Sequence, residues 1–324
     1  MHKNLVQKLD SPFKQEIYEG LTAYPKYLSS KYIYDKAGDE LFQEIMNMPE
    51  YYLTDAEFSI LEAYKEQLAS LFSNGEKPFH LIEMGAGDGK KTKVLLRYFT
   101  ARDLNFTYRP IDISQNALDT LLGNLKQEIP TLKTEPLQGT YFETLRKLNF
   151  STDERKVILF LGSNIGNLLH EKAIEFLSQI KDYMQANDLL FIGFDQKKNP
   201  QTILDAYNDA AGITARFNKN LLVRINRELK ANFNVDSFTH WEAYDPESGT
   251  AKSYLVAQSA QEVRIEKLGL DITFDAYETI HTEISQKYDD KTVHWLAEQS
   301  DLKVREVFSD QQKYYKNYLF TKSV

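Results

Sequence analysis

The sequence predicts an α/β fold: a parallel sheet covered by helices on both faces, joined to a second α+β domain. Three observations carry this expectation. Short apolar runs alternate with amphipathic helical stretches between residues 79 and 195. After Asp195 the pattern changes to one of paired strands, and near the C-terminus a helix and two more strands lead the chain back to the sheet. On this division residues 61–196 and 287–324 form the sheet domain, and residues 1–60 and 197–286 form the other.

Ahead of the sheet, "TDAE" at 54–57 reads as a capping box for a helix carrying Leu61, Leu68 and Leu71. The runs "FHLIEM" (79–84), "FTYRPID" (106–112), "KVILFLG" (156–162) and "DLLFIGFD" (188–195) read as buried strands. Between the second and third, Ser114 is the expected N-cap of a helix with Ala117, Leu118, Leu121, Leu122 and Leu125 on one stripe. Between the third and fourth, Ile174, Leu177, Ile180 and Met184 form the equivalent stripe. "NPQTILDAYNDAAG" reads as a helix capped by Asn199, with Pro200 in its first turn and Gly212 closing it, and "KNLLVRINREL" as another. Two strands joined by a turn at "DPESG" follow, then the extended stretches "QEVRIEKL", "LDITF" and "ETIHTEISQKY". The helix "KTVHWLAEQSDL" and a closing hairpin, "KVREVFSD" with "YYKNYLFTK", complete the reading.

Composition narrows the function. A chain of 324 residues that is 42% hydrophobic can bury a substantial core. Its net charge of -8 comes from interspersed acids and bases with no long basic block, so no nucleic acid is expected as a partner. The absence of cysteine excludes disulfides and thiol catalysis, and the six histidines show no short ligand spacing, so no metal is expected. The polar N-terminus lacks the apolar core of a signal peptide and no apolar stretch is long enough to span a bilayer. A cytoplasmic protein acting as a monomer, without a membrane partner, is the expectation.

The most informative stretch is "LIEMGAGDGKKTKVLL" (81–96), with glycines at 85, 87 and 89. A strand, a glycine turn and a helix starting near Lys90 would point backbone N–H groups at a ligand in the crevice. A dinucleotide fingerprint needs Gly-x-Gly-x-x-Gly, whereas here the third glycine comes one residue early and Glu83 sits two residues before the first. The pattern Glu-x-Gly-x-Gly-x-Gly resembles the first motif of class I S-adenosylmethionine-dependent methyltransferases, whose core is Rossmann-like. The resemblance implies S-adenosylmethionine as cofactor, held by Glu83 and the backbone of Gly85, Gly87 and Gly89. Asp112, at the end of the next strand, is placed to accept the ribose hydroxyls, and Lys91 to pair with the methionine carboxylate. The blander readings are a glycine turn serving only packing, and Asp112 as a helix N-cap.

Four further strings narrow the resemblance: "KYIYDKAGDELFQEIMNMPEYYLTDAE" (31–57), "FLGSNIGNL" (160–168), "AYNDAAGITARFNKNLLVRINREL" (206–229) and "TEISQKY" (282–288). Together they look like the histidine-specific methyltransferases that make hercynine, the first intermediate of ergothioneine. Members of that family add a substrate-binding domain to the methyltransferase core, and the similarity runs through nearly the whole chain. It implies that Asn167 and Tyr207 hold the carboxylate of a free amino acid, that Glu283 and Ser285 grip the far nitrogen of its imidazole, and that Tyr51 reaches the ring. Tyr34 would lie near the cofactor's tail and the reacting amine, and Gly139, Thr140 and Gly162 would belong to the cofactor's surroundings. Strand alternation independently puts His281, Glu283 and Ser285 on one face.

Three positions depart from the family pattern. Ser253 stands where a methionine usually lies near the imidazole, Thr140 where an acid contacts adenine, and Asn164 where threonine is commoner. The implied reaction is in-line attack of the substrate's α-amine on the sulfonium methyl, repeated up to the trimethyl product. It needs an aligned neutral amine more than a strong base, and a quaternary ammonium product can lie against tyrosine rings. The alternatives are the same chemistry on another amino acid or small amine, a non-catalytic cofactor-binding module, and, on the glycine spacing the weakest, a nicotinamide dehydrogenase.

Overall fold

The structure is a computed structural model that describes residues 9–73, 75, 77–148 and 154–323; the first part of the polar N-terminal stretch, residues 1–8, lies outside them. In chain order the elements begin with α1 (Pro12–Thr22), β1 (Lys26–Tyr27), α2 (Lys36–Met46), α3 (Leu53–Phe72), β2 (Phe79–Met84), α4 (Thr92–Ala101) and β3 (Phe106–Asp112). Next come α5 (Gln115–Glu128), β4 (Leu137–Gln138), α6 (Tyr141–Lys147), β5 (Arg155–Phe160), α7 (His170–Asp182) and β6 (Leu189–Asp195). They continue with α8 (Pro200–Tyr207), α9 (Ile213–Leu229), β7 (Phe238–Asp245), β8 (Thr250–Ala257), β9 (Gln261–Ile265) and β10 (Leu270–Phe274). The last are β11 (Thr279–Gln286), α10 (Asp290–Gln299), β12 (Leu302–Ser309) and β13 (Tyr315–Lys322). Contacts divide the chain into two units, Leu53–Lys197 with Gln286–Val324, and Met1–Tyr52 with Lys198–Ser285.

The first unit is built on a seven-stranded sheet in the order β12-β13-β6-β5-β2-β3-β4. β4, β3, β2, β5 and β6 run parallel, and β13 returns antiparallel to β6 with β12 as its hairpin partner. This is a Rossmann-like sheet, closed at one edge by the expected hairpin. Every residue of β2 is buried, because both faces of the sheet are covered. Ile82 and Met84 join one core with Leu177 and Ile180 of α7 and Leu296 of α10. On the alternate row, Phe79 meets Phe99 of α4, which in turn meets Phe72 of α3. A two-residue alternation buried on both sides is what makes this strand read as a continuous apolar run.

The second unit carries a four-stranded sheet, β1-β11-β8-β7, and a two-stranded β9–β10 ribbon. β7 and β8 pair antiparallel from Phe238↔Ala257 to Asp245↔Thr250, with the expected "DPESG" turn between them. One core gathers Ile17 and Leu21 of α1, Ile45 of α2, Leu221 and Ile225 of α9, and Phe238, Leu255 and Ile280 of the sheet.

Ser114 and Asn199 cap α5 and α8 as expected, accepting from Ala117 N at 3.2 Å and Gln201 N at 2.9 Å. Two local expectations are corrected. α3 begins at Leu53, so Thr54 lies within its first turn and no capping box forms; the carboxylate of Glu57 is engaged elsewhere, as described below. α8 stops at Tyr207, and Gly212 opens the next helix instead of closing this one. The cause is Asp209, whose carboxylate accepts from both Ile213 N and Thr214 N at 2.8 Å and starts α9 six residues before the "KNLLVRINREL" string. Burial raises the pKa of Asp209, but these amide bonds outweigh it and hold the group below the ordinary carboxylate value.

Candidate functional site

In the sheet unit the loops that follow β2, β3, β4 and β5 lie at the carboxyl ends of parallel strands. β2 and β5 are neighbours whose following connections lead to opposite sides of the sheet, the place where open α/β sheets bind ligands. The glycine loop follows β2. Gly85 and Ala86 donate to the carbonyl of Ile111 at 2.9 and 3.2 Å, and Gly89 N closes onto Ala86 O at 3.0 Å. Gly85, Gly87 and Gly89 all have positive φ, at 76°, 52° and 64°. A Cβ on Gly87 would meet nothing within 4 Å, so this backbone can be approached closely.

Asp112 ends β3 with its carboxylate on the loop: Oδ2 accepts from Gly87 N at 3.2 Å and Oδ1 from Ser114 N at 2.9 Å. It is therefore not the N-cap of α5, a role Ser114 fills, and a carboxylate retains capacity for two hydroxyl donors beyond these amides. Gly139 N donates to Asp112 O at 3.1 Å, and the Thr140 hydroxyl donates to Glu143 at 2.7 Å in a capping box that starts α6.

Glu83 is turned into the fold. Its two carboxylate oxygens take the hydroxyls of Thr92 and Tyr108, and only 4% of the residue is exposed. Burial outweighs those two bonds and pushes its pKa up to about 7. Burial, with the Glu83 charge beside it, holds the Tyr108 phenol well above its usual value. Glu83 thus fastens the helix after the loop to the neighbouring strand.

Lys91, expected to meet the cofactor's carboxylate, lies 2.5 Å from the carboxylate of Glu57. The same Glu57 oxygen accepts from Gly162 N at 2.7 Å, and its other oxygen from Asn317 Nδ2 at 2.9 Å. Glu57 is fully buried. Sequence reasoning missed it because its local string reads as a helix cap and Asn317 lies 260 residues away. Gly162 and Ser163 both have positive φ, 80° and 55°, and lead into a 3₁₀ turn over Asn164–Asn167. Asn164 Nδ2 donates back to Leu161 O at 2.9 Å, while Asn167 ends the turn exposed.

Tyr141 was also missed. Its hydroxyl lies 2.8 Å from where a Gly85 Cβ would stand. Burial and the Asp112 charge push its pKa up to about 12, so it is a neutral phenol beside the loop at physiological pH.

The other unit brings together the remaining expected residues, apart from Asn167. The Tyr34 ring meets Phe42 and Phe217 at 5.6 and 5.4 Å, Phe42 meets Tyr51 at 6.4 Å, and Tyr51 meets Tyr207 at 6.3 Å. The Tyr207 hydroxyl is 2.8 Å from Ser285 Oγ, and its carbonyl is bonded to His240 Nε2 at 2.9 Å. Tyr34 keeps 39% of its surface exposed. Burial of its hydroxyl end, with the Glu283 carboxylate and the phenols of Tyr51 and Tyr207 nearby, pushes its pKa well above the usual tyrosine value. An aromatic row with the Glu283 carboxylate and the Ser285 hydroxyl is thus assembled from separate parts of the chain.

Two members of the expected set behave differently. His281 rests on the Tyr254 ring, at 5.4 Å, whereas Ser285 meets Tyr207 and Glu283 acts on Tyr34. Ser253 is 2% exposed and donates to Glu242 at 2.6 Å, the residue facing it across the β7–β8 pair.

The loop and its donors fit S-adenosylmethionine: open space beside Gly87, an acid on the adjacent strand, and a cation at Lys91. A family profile described as "Histidine-specific methyltransferase, SAM-dependent" matches residues 13–322. The chain is 34% identical to a histidine N-alpha-methyltransferase of Mycolicibacterium smegmatis, covering 90% of this chain and 89% of that one. It is 29% identical to ergothioneine biosynthesis protein 1 of Schizosaccharomyces pombe, covering 91% of this chain and 39% of that larger protein. An L-tryptophan methyltransferase of Psilocybe serbica is 27% identical, over 92% of this chain and 90% of its own. A match of this extent, on a chain whose glycine loop, Asp112 and Lys91 suit the cofactor, means that the protein belongs to the family of histidine-specific, S-adenosylmethionine-dependent methyltransferases.

Proposed function

We propose that the protein methylates the α-amino nitrogen of free L-histidine, in steps up to the trimethyl product. The observation that carries this reading is the row Tyr34, Tyr51, Tyr207 with Ser285 and Glu283, in which phenols, a hydroxyl and the Glu283 carboxylate meet. Bound S-adenosylmethionine supplies an electrophilic sulfonium methyl. The sheet unit would hold it through the glycine-loop backbone, Asp112 and Lys91, with Gly139, Thr140 and Gly162 around it.

Tyr207 would hold the amino acid's carboxylate, a phenol being a suitable donor. Glu283 and Ser285 would take the imidazole N–H. A side chain unable to donate leaves the Glu283 carboxylate short of a partner, at a cost of about 1–3 kcal/mol, which supports selection for an N–H ring. Tyr51 would lie along the ring. Tyr34, its phenol kept neutral by burial and the nearby carboxylate, would accept a hydrogen bond from the amine in the first two steps, while an N–H remains, and orient its lone pair, without acting as a strong base. The proton lost by the amine at each step passes to solvent. Tyrosine faces suit a product that is cationic and can no longer donate.

Incubation with S-adenosylmethionine and each free amino acid, read by mass spectrometry, tests the reading. Histidine should gain one, two and then three methyl groups. A protein that methylates another amino acid and leaves histidine untouched would move the substrate elsewhere. That second reading is favoured by one observation, the small buried Ser253 tied to Glu242, which leaves a different volume from that of the usual methionine.

A further inference from the structure

We propose that Glu57 is a positioning residue for the methyl-donor site, acting through Lys91 and Gly162; this rests on reading the sheet unit as the S-adenosylmethionine site. Glu57 projects from α3, outside every loop that surrounds the crevice, yet its carboxylate ties those loops together. Oε2 is shared by Lys91 Nζ at 2.5 Å, where the glycine loop enters α4, and by Gly162 N at 2.7 Å, where the loop after β5 begins. Oε1 is fixed by Asn317 of β13 at 2.9 Å.

The surroundings are shaped for this carboxylate. A Cβ on Gly193 of β6 would stand 2.2 Å from Glu57 Oε1 and 2.2 Å from the Tyr315 hydroxyl, so only glycine leaves the space. Two successive left-handed residues, Gly162 and Ser163, turn the amide of Gly162 onto Oε2. Such a conformation at the non-glycine Ser163 persists only where its surroundings hold it, and the Ser163 hydroxyl is held by Asp195 N at 3.0 Å.

A buried ion pair is a poor device for stability alone, because desolvation offsets its attraction. This pair is unsymmetrical. The Glu57 side chain is wholly enclosed, whereas that of Lys91 keeps 21% of its surface exposed, at the start of the helix that follows the glycine loop. The ammonium gives one donor to Glu57 and keeps others for a carboxylate ligand. Glu57 thereby holds the lysine in one rotamer and removes freedom that a surface lysine would lose on binding an anion. The same carboxylate holds the left-handed turn at Gly162.

The test is calorimetric binding of S-adenosylhomocysteine to the full chain, with steady-state kinetics on the acceptor amino acid. Glu57→Gln keeps an acceptor for Gly162 and a partner for Asn317 but releases Lys91. It should bind S-adenosylhomocysteine at least about tenfold more weakly and raise the KM for S-adenosylmethionine by a similar factor, while the acceptor KM stays within about twofold. Glu57→Asp keeps the charge but cannot reach Lys91 and Gly162 together, and should fall between; it carries the test if the glutamine variant does not fold. Binding within twofold of the parent in the glutamine variant, or in the aspartate variant where the glutamine variant does not fold, or equal loss for cofactor and acceptor, would overturn the role. A parent protein that binds no S-adenosylhomocysteine would remove the site itself, an outcome distinct from a parent that binds and variants that bind equally well.

Discussion

The hydroxyl of Tyr207 lies 2.8 Å from Oγ of Ser285, joining the last residue of α8 to β11. The pair links the proposed carboxylate grip to the proposed imidazole grip, so the two ends of the amino acid are read by groups that hold each other in place. Tyr207→Phe keeps the ring against Tyr51 but removes the hydroxyl. Loss of a hydrogen bond to a charged group costs about 1.5–3 kcal/mol, so the acceptor KM should rise roughly 10- to 100-fold. Binding of S-adenosylhomocysteine should be unchanged. Steady-state kinetics with both substrates varied decides it, and an unaltered acceptor KM would place the carboxylate elsewhere.

Glu83 ties stability to pH. Its folded-state pKa of about 7 lies above the ordinary value of 4.5, with burial as the largest cause. The folded protein therefore binds this proton more tightly than the unfolded chain does. The contribution is fully present below about pH 4.5, declines as pH rises, and is lost above about 7, a change of roughly 3 kcal/mol. Glu83→Gln removes it. Urea unfolding of parent and variant at intervals from pH 5 to pH 8 should show the variant gaining on the parent as pH rises, and parallel curves would show that Glu83 ionises normally in the fold.

Much of this architecture is legible from local pattern, because the responsible forces are local. Ser114 and Asn199 cap their helices with their own side chains, and a strand buried on both faces is mostly apolar, as β2 is apart from His80 and Glu83. The failures share a cause: a local signal with two meanings, chosen between by a partner distant in sequence or by a competing bond. The string at 54–57 has the form of a capping box, but Glu57 is drawn to Lys91, Gly162 and Asn317. A glycine after a helical stretch ordinarily ends a helix; Gly212, at a φ of 70°, begins one because Asp209 takes the amides. In the proposed site, Asp112 and the glycine loop were readable from chemistry and spacing. The tyrosines were not, since 20 tyrosines share the same composition and only the family resemblance distinguished Tyr34, Tyr51 and Tyr207.

Two glycines separate space needed for a ligand from space needed for the fold. Gly87 has open space where a Cβ would go, so Gly87→Ala should cost only the left-handed backbone term, about 1–2 kcal/mol, while weakening S-adenosylhomocysteine binding by intruding on the open side of the loop. Gly193→Ala instead forces a methyl to within 2.2 Å of Glu57 and Tyr315. Overpacking of this kind costs about 1–3 kcal/mol or more, so Gly193→Ala should show the larger fall in melting temperature. Thermal melts with calorimetric binding resolve the pair. Gly87→Ala with undiminished binding would mean that the ligand does not approach that backbone.

The Glu57–Lys91 pair should respond unequally to loss of either member. Lys91→Met leaves a carboxylate with no exposed surface facing only an amide and Asn317, and removing the partner of a buried charge costs about 3–5 kcal/mol. Glu57→Gln leaves a lysine whose side chain already reaches solvent over 21% of its surface, so its charge can be hydrated and the loss should be smaller. Removing both charges leaves neither stranded. The double variant should therefore be more stable than the sum of the single losses implies, with a coupling of roughly 1–3 kcal/mol. Urea unfolding of the four proteins measures this directly. Losses that add to within about 0.5 kcal/mol would show that the two groups do not depend on each other, and Lys91 would then owe its position to the backbone of the helix entrance alone.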